Sequence, residues 1–259
     1  MSDSHGKFVW YELMTTDTAA AETFYKSVVG WSAKDSGMSD MSYTILSAGE
    51  HGVGGLMAIP ERARNAGARP GWVGYVAVDD VDASAAQATR KGGTLHHGPE
   101  DIPGVGRFAV IGDPQHAVLT LFKPSPTMQD HPPPAPPATP GHTGWHELFT
   151  SDREAAFGFY ADLFGWTKAE AMDMGPMGIY QIFARGDQPI GGMMTKPEEM
   201  PVSFWRYYFN VDNITAAVAR VEAAGGQILL GPIEVPGGSW IINGSDPQGA
   251  QFALVGPKG

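Results

Sequence analysis

Cysteine is absent from all 259 residues, which removes disulfides, thiol nucleophiles and thiolate metal sites together. A basic cluster is missing as well. The net charge of −11 is spread evenly, with 14 acids and 9 bases up to Phe122 and 14 acids and 8 bases after it, so nothing is placed to neutralise a phosphate backbone. No apolar run continues for the ~18 residues of a membrane span, and Met1-Ser2-Asp3-Ser4-His5-Gly6-Lys7 lacks the apolar core of a secretory signal. These absences lead us to expect a cytoplasmic protein with no nucleic-acid partner and no membrane partner. What remains is a chain that is 42% hydrophobic, with 34 glycines and 21 prolines, as in a folded protein with many turns. Its length leaves room for two domains, each with its own core.

Self-similarity runs along almost the whole chain. Trp10-Tyr11-Glu12-Leu13 matches Trp145-His146-Glu147-Leu148 at an offset of 135, as do Phe24-Tyr25 with Phe159-Tyr160 and Gly30-Trp31 with Gly165-Trp166. A two-residue slip then aligns Gly54-Gly55 with Gly191-Gly192. At an offset of 133 follow Val78-Asp79 with Val211-Asp212, Gly92-Gly93 with Gly225-Gly226, and Asp113-Pro114-Gln115 with Asp246-Pro247-Gln248. The matches keep one order, which is the mark of a tandem repeat. We place the first domain at 1–123, a proline-rich linker at 124–141 and the second domain at 142–259. The run Pro132-Pro133-Pro134-Ala135-Pro136-Pro137 reads as an extended spacer.

Each copy divides further into two strand-helix-strands modules. Phe8 to Thr15 alternates like a strand. Asp17 then caps a helix with Ala21, Phe24, Tyr25 and Val28 on one face, and Gly30 ends it. Asp152, Ala156, Phe159, Tyr160, Leu163 and Gly165 repeat that pattern. The second module of the first copy reads as a strand from Trp72 to Val78, a helix from about Asp82 to Lys91, and strands near Phe108–Ile111 and Ala117–Phe122. The Asp-Pro-Gln segments read as tight turns, with His116 and Gly249 at the position that takes positive φ. His96-His97, beside Gly98-Pro99, reads as an exposed turn, and His146 as a residue packed toward the helices.

With these motifs in this order, the chain resembles the vicinal oxygen chelate superfamily of glyoxalases, bleomycin-resistance proteins and extradiol dioxygenases. It is most similar to tandem-domain bacterial members labelled glyoxalases or hydroxylases. The resemblance implies an α+β fold of two tandem vicinal oxygen chelate domains, each built of two βαβββ modules whose sheet curves around a cavity. It also implies metal ligands on the first strand, on the strand opening the second module and on the last strand. Counting from the landmarks places these at Trp10, Val73 and Thr120 in one copy and Trp145, Arg206 and Ala253 in the other. A catalytic site needs about three imidazole or carboxylate ligands, and none stands there. His51, His96, His97 and His146 share no ligand spacing, so we expect no metal and no cofactor.

Strand alternation names the residues that share the cavity face. From Trp10 it selects Glu12, and from Trp145, Glu147. The later strands add Val73, Tyr75 and Thr120 in the first copy and Arg206, Tyr208, Asn210, Gln251 and Ala253 in the second. The first set is mostly aromatic and apolar, the second richer in polar groups. The reading is metal-independent binding of a small, partly aromatic molecule, with Trp10, Tyr75, Thr120, Trp145, Tyr208, Asn210 and Gln251 as contacts. The alternative is a metal-free lyase, isomerase or hydrolase, with Glu147 or Glu12 as base and Arg206 stabilising negative charge. Either glutamate can instead be structural. Arg206 is within reach of Glu147 if both belong to one cavity, and an ion pair is then expected. Four modules in one chain suggest a monomer that acts as an internal pseudo-dimer.

Overall fold

The computed structural model describes residues 2–38, 41–126 and 135–259; within the proline run, Pro132, Pro133 and Pro134 lie outside the described residues. In the first copy the elements are β1 (Phe8–Thr15), α1 (Thr18–Val28), β2 (Ser32–Asp35), β3 (Thr44–Ala48), β4 (His51–Ala58), a short α2 (Glu61–Asn65), β5 (Gly71–Ala77), α3 (Val81–Arg90), β6 (Thr94–Ile102), β7 (Gly106–Gly112) and β8 (Val118–Pro124). The second copy repeats them, apart from α2, as β9 (Thr143–Thr150), α4 (Arg153–Phe164), β10 (Thr167–Asp173), β11 (Ile179–Arg185), β12 (Gln188–Thr195), β13 (Phe204–Asn210), α5 (Ile214–Ala223), β14 (Gln227–Glu234), β15 (Trp240–Ser245) and β16 (Gln251–Gly256). Strand order is β2-β3-β4-β1-β5-β8-β7-β6 in one eight-stranded sheet and β10-β11-β12-β9-β13-β16-β15-β14 in the other. This is the α+β architecture of curved sheets that the repeat implied. Among the described residues, no helix is long and apolar enough to cross a membrane.

The helices begin where short polar side chains satisfy their free N–H groups. Asp17 accepts from the Ala20 N–H at 3.0 Å and Asp152 from Ala155 at 3.0 Å. Asp80 and Asn213 do the same for α3 and α5, at 3.0 and 2.8 Å. Helix α3 therefore starts at Val81, one residue ahead of the expected boundary. Gly165 closes α4 in the left-handed region, and His116 takes φ 73° in its turn, as expected. The expected turn at His96-His97 is corrected: both residues lie within β6, where His97 pairs with Val110 and the register shifts on either side. A bulge absorbs the glycine and proline that suggested a turn.

Contacts divide the chain into two compact units that do not coincide with the two sequence copies. One comprises Met1–Val9, Val73–Pro132 and Trp145–Trp205, and the other Trp10–Trp72, Pro133–Gly144 and Arg206–Gly259. Each unit thus joins a first-type module of one copy to a second-type module of the other. In the second unit, α1 packs on α5. Phe24 sits where Gly226 has no side chain, since a Cβ there would lie 2.7 Å from its ring. Tyr25 donates to the Asp246 carboxylate at 3.3 Å and accepts from Trp72 Nε1 at 2.9 Å. The first unit repeats this joint with the copies exchanged. Phe159 faces Gly93, Tyr160 donates to Asp113 at 2.9 Å, and Trp205 Nε1 donates to Tyr160 at 3.1 Å.

Both aspartates also accept two backbone N–H bonds of their own turns, from Gln115 and Ala117 or from Gln248 and Ala250. Burial nevertheless pushes both carboxyls above their ordinary value, the hydrogen bonds opposing it. A hydrogen bond to a charged acceptor contributes about 1.5–3 kcal/mol net. Tyr25→Phe and Tyr160→Phe should each lower the unfolding free energy by about 2 kcal/mol in urea titrations, because a carboxylate and an indole N–H both lose a partner. A loss below about 0.5 kcal/mol in both variants would mean that ring packing alone holds the joint.

Candidate functional site

In the second unit, Tyr11 of β1 meets Tyr207 of β13 edge-on at 5.3 Å. Side chains alternate along a strand, so the faces carrying Trp10 and Glu12 on β1 and Arg206, Tyr208 and Asn210 on β13 turn away from one another. The helix side of each module is spent on the joint. The opposite face carries the residues that the sequence names as site candidates.

On the β1 face, Trp10 is half-buried and its Nε1 donates to the Tyr43 hydroxyl at 2.9 Å. That hydroxyl donates in turn to the buried Glu12 carboxylate, and burial first, then the Glu12 charge, raises the phenol's pKa well above its ordinary value. Room for the ring comes from Gly55, the register partner of Glu12: a Cβ at Gly55 would stand 1.8 Å from the tyrosine oxygen. The first unit holds the same construction. Trp145 Nε1 donates to Tyr180 at 2.8 Å, a Cβ at Gly192 would fall 2.3 Å from the Tyr180 oxygen, and Gly192 pairs with Glu147, which is buried. Tyr43 and Tyr180 were not among the sequence candidates. The signal was present, since they are related by the same offset of 137 as Gly55 and Gly192.

The second-type modules differ between copies. In the first unit, Tyr75 pairs in register with Thr120 and its ring meets Phe122 at 5.9 Å. Tyr75 is 7% exposed and Thr120 1%. In the second unit, Arg206 is buried and its Nη2 donates to Gln251 Oε1 at 3.4 Å, while Tyr208 pairs in register with Ala253. Asn210 is buried beneath Gly144, where a Cβ would come within 2.4 Å of its amide oxygen. Gln251 is exposed. Glu147 belongs to the first unit and Arg206 to the second. The Trp10–Tyr43 and Trp145–Tyr180 pairs are half-buried and Gln251 is exposed, whereas Tyr75, Thr120, Tyr208 and Asn210 are buried.

Sheets of this order, built from paired βαβββ modules, define the class of glyoxalases and extradiol dioxygenases, and comparison with known proteins agrees. The model for the Glyoxalase/Bleomycin resistance protein/Dioxygenase superfamily matches residues 7–121 and 139–254. The chain belongs to this superfamily. It is 32% identical over 250 residues to the "Putative glyoxylase CFP32" of Mycobacterium tuberculosis, covering 96% of this chain and 94% of that one. It is 30% identical over 273 residues to the anthracycline biosynthesis protein DnrV of Streptomyces peucetius, covering 96% and 93%. Among solved structures it resembles the Mn(II)-bound glyoxalase from Novosphingobium aromaticivorans, with a TM-score of 0.64, 17% identity and coverage of 98% and 82%. The 2,3-dioxygenase LapB from Pseudomonas sp. KL28 gives a TM-score of 0.66, 11% identity and coverage of 99% and 93%.

A metal is the group this family implies, and the residues at its ligand positions do not fit one. The Trp10 and Trp145 indoles present N–H donors already committed to tyrosines, whereas a metal needs a lone pair. Val73 and Ala253 offer carbon, Thr120 a buried hydroxyl, and Arg206 a cation. Among the described residues, no group of three or more His, Asp or Glu side chains could hold an ion.

His146 packs on the helix side, as expected: its ring stacks on Phe8 at 3.8 Å, and its Nδ1 stands 2.5 Å from the Ile190 carbonyl. A carbonyl can only accept, so Nδ1 carries the proton. Burial pushes the imidazole down to about 4 from 6.5. The folded state binds this proton less readily than the unfolded chain, so the stability His146 contributes is full above pH 6.5 and is lost as pH falls towards about 4. At 1.36 kcal/mol per pKa unit the loss is about 3 kcal/mol. His146→Phe should keep the stack and flatten the acid limb of a stability-against-pH curve over that window; an unchanged limb would count against the assignment.

Proposed function

We propose that the chain binds a small, partly aromatic molecule, without a metal ion, on the Trp–Tyr faces of its first-type modules. The observation that carries this reading is the use made of the family's first-strand ligand position. An indole stands there in both copies, tied to a tyrosine that lies over a glycine beside a buried glutamate. This is a rigid aromatic wall with one acidic anchor, the composition of a small-molecule site. The likeness to the anthracycline biosynthesis protein supports a fused-ring aromatic ligand, because anthracyclines are such compounds. Cofactors have no role in this reading.

Tryptophan fluorescence of the full chain, titrated with a hydroxyanthraquinone, tests it. Saturable quenching is expected, with at least tenfold weaker binding in a Trp10→Ala, Trp145→Ala double variant and in a Gly55→Ala, Gly192→Ala double variant that displaces the tyrosines. Equal affinity in the parent and both variants would sink the proposal.

A second reading, a metal-free lyase, isomerase or hydrolase, draws on the Glu12 carboxylate, buried and bonded to the Tyr43 phenol. A carboxylate out of water is a stronger base than one in it, and Glu147 holds the matching place. Turnover that Glu12→Gln and Glu147→Gln abolish while ligand quenching persists would favour this reading over simple binding.

The active species proposed is one chain, the swapped modules supplying internally the pairing that single-copy relatives obtain by dimerising. Light scattering at binding concentrations should give the 27.6 kDa of a monomer, and a concentration-independent mass twice that would overturn it.

A further inference from the structure

We propose that His51 and His142, in the second unit, form a binding site for one divalent transition-metal ion of the zinc, nickel or copper class, apart from the family's ligand positions. The two imidazoles stand edge to face, 5.4 Å between centroids with their planes at 70°. Two rings bound through nitrogen to one tetrahedral ion, each nitrogen about 2.0–2.1 Å from it, have centroids roughly 5 Å apart. The pair already stands at that spacing.

Neither ring has a hydrogen-bond partner among the described residues, and both are half-buried. They line a cavity of about 550 Å³ together with Trp31, Glu50, Pro136 and Thr139. None of the residues proposed for the aromatic ligand lines it. Glu50 offers a carboxylate within the same cavity. The protein supplies two nitrogens, and water completes the coordination.

Both backbones are fixed before any ion arrives. His51 opens β4 directly after the hairpin turn at Gly49-Glu50, paired with Ala48. At the other side, the His142 carbonyl accepts from the Asn210 N–H at 2.8 Å and its own N–H donates to Thr139 at 3.2 Å. Beside it, the Gly141 carbonyl accepts from Trp31 Nε1 at 2.7 Å. An ion here would fasten the segment leading out of the linker to the β3–β4 hairpin. The repeat supplies an internal control, because the counterparts of His51 and His142 at offsets of 137 and 135 are Gln188 and Lys7. One ion per chain is therefore expected, not two.

The test is calorimetric titration of the chelator-treated full chain with zinc chloride and with nickel chloride, circular dichroism verifying the fold of each variant. The proposal requires a saturable isotherm of one ion per chain. His51→Gln and His142→Gln should each weaken it at least tenfold, and a His96→Gln, His97→Gln double variant should leave it unchanged. Absence of a saturable isotherm overturns the proposal, as does an isotherm that survives both single substitutions or is lost in the His96, His97 control. Anthraquinone quenching unaffected by zinc would show that this site and the aromatic one stand or fall separately.

Discussion

A buried phenol bonded to a buried carboxylate, made twice, fixes how this chain is put together. Tyr25 reaches Asp246 and Tyr160 reaches Asp113. In each case an indole N–H fills the tyrosine's accepting side and two turn amides hold the aspartate. Removing any member leaves a polar group in an apolar interior without its partner, which costs more than the bond itself is worth. The joint therefore fixes how a first-type helix docks on a second-type module, and in this chain the partner comes from the other copy. Phe24 against Gly226 and Phe159 against Gly93 enforce the same choice by shape, since a side chain at either glycine would push the ring out.

This arrangement explains what the repeated motifs are for. The Phe-Tyr pairs, the Gly92-Gly93 and Gly225-Gly226 pairs, the Asp-Pro-Gln turns and the Gly-Trp dipeptides all belong to the helix-side joint. Trp31 and Trp166 extend it, closing on the Gly141 and Gly6 carbonyls at 2.7 and 2.8 Å. Residues that identify the superfamily thus report how modules pack and carry no information about chemistry. The other face of each strand carries the family's metal-ligand positions, which here hold tryptophan, valine, threonine, arginine and alanine.

The elements and their faces were legible because period and capping are local properties. Asp17 and Asp152 announce their helices, and Ala21, Phe24, Tyr25 and Val28 are all buried, as their spacing predicts. Partners were not legible, because periodicity says which way a side chain points and not what it meets. That Tyr160 should find Asp113 rather than Asp246 follows from three-dimensional packing alone. His96-His97 misled for a related reason: glycine and proline beside them signal a break, and a bulged strand satisfies that signal as well as a turn does. Tyr43 escaped because it precedes its strand, and Tyr180 because it stands at the start of a strand that the sequence reading did not delimit. Their shared offset with Gly55 and Gly192 was the one available clue. The site candidates Tyr75, Thr120, Tyr208 and Asn210 were assigned the correct strands, but alternation could not show how deeply each would be buried.

The two copies have kept their first-type faces alike and let their second-type faces diverge. Trp10, Glu12, Tyr43 and Gly55 have Trp145, Glu147, Tyr180 and Gly192 as counterparts, the same chemistry at each place. By contrast, Val73, Val118 and Thr120 stand against Arg206, Gln251 and Ala253. A buried guanidinium is costly unless its donors are directed at acceptors, and one of those donors reaches Gln251, which is itself exposed. The second copy therefore carries charge and amide groups where the first carries only carbon and a hydroxyl. A planar ring system can lie against either tryptophan with similar energy, since stacking depends on area and polarisability. Carboxylate, carbonyl or phenolate groups at its edge are distinguished by what stands beyond the ring. If the chain binds an aromatic molecule as proposed, the ring and its substituents would be recognised by different modules, and a duplicated chain would hold one scaffold while reading two patterns of substitution.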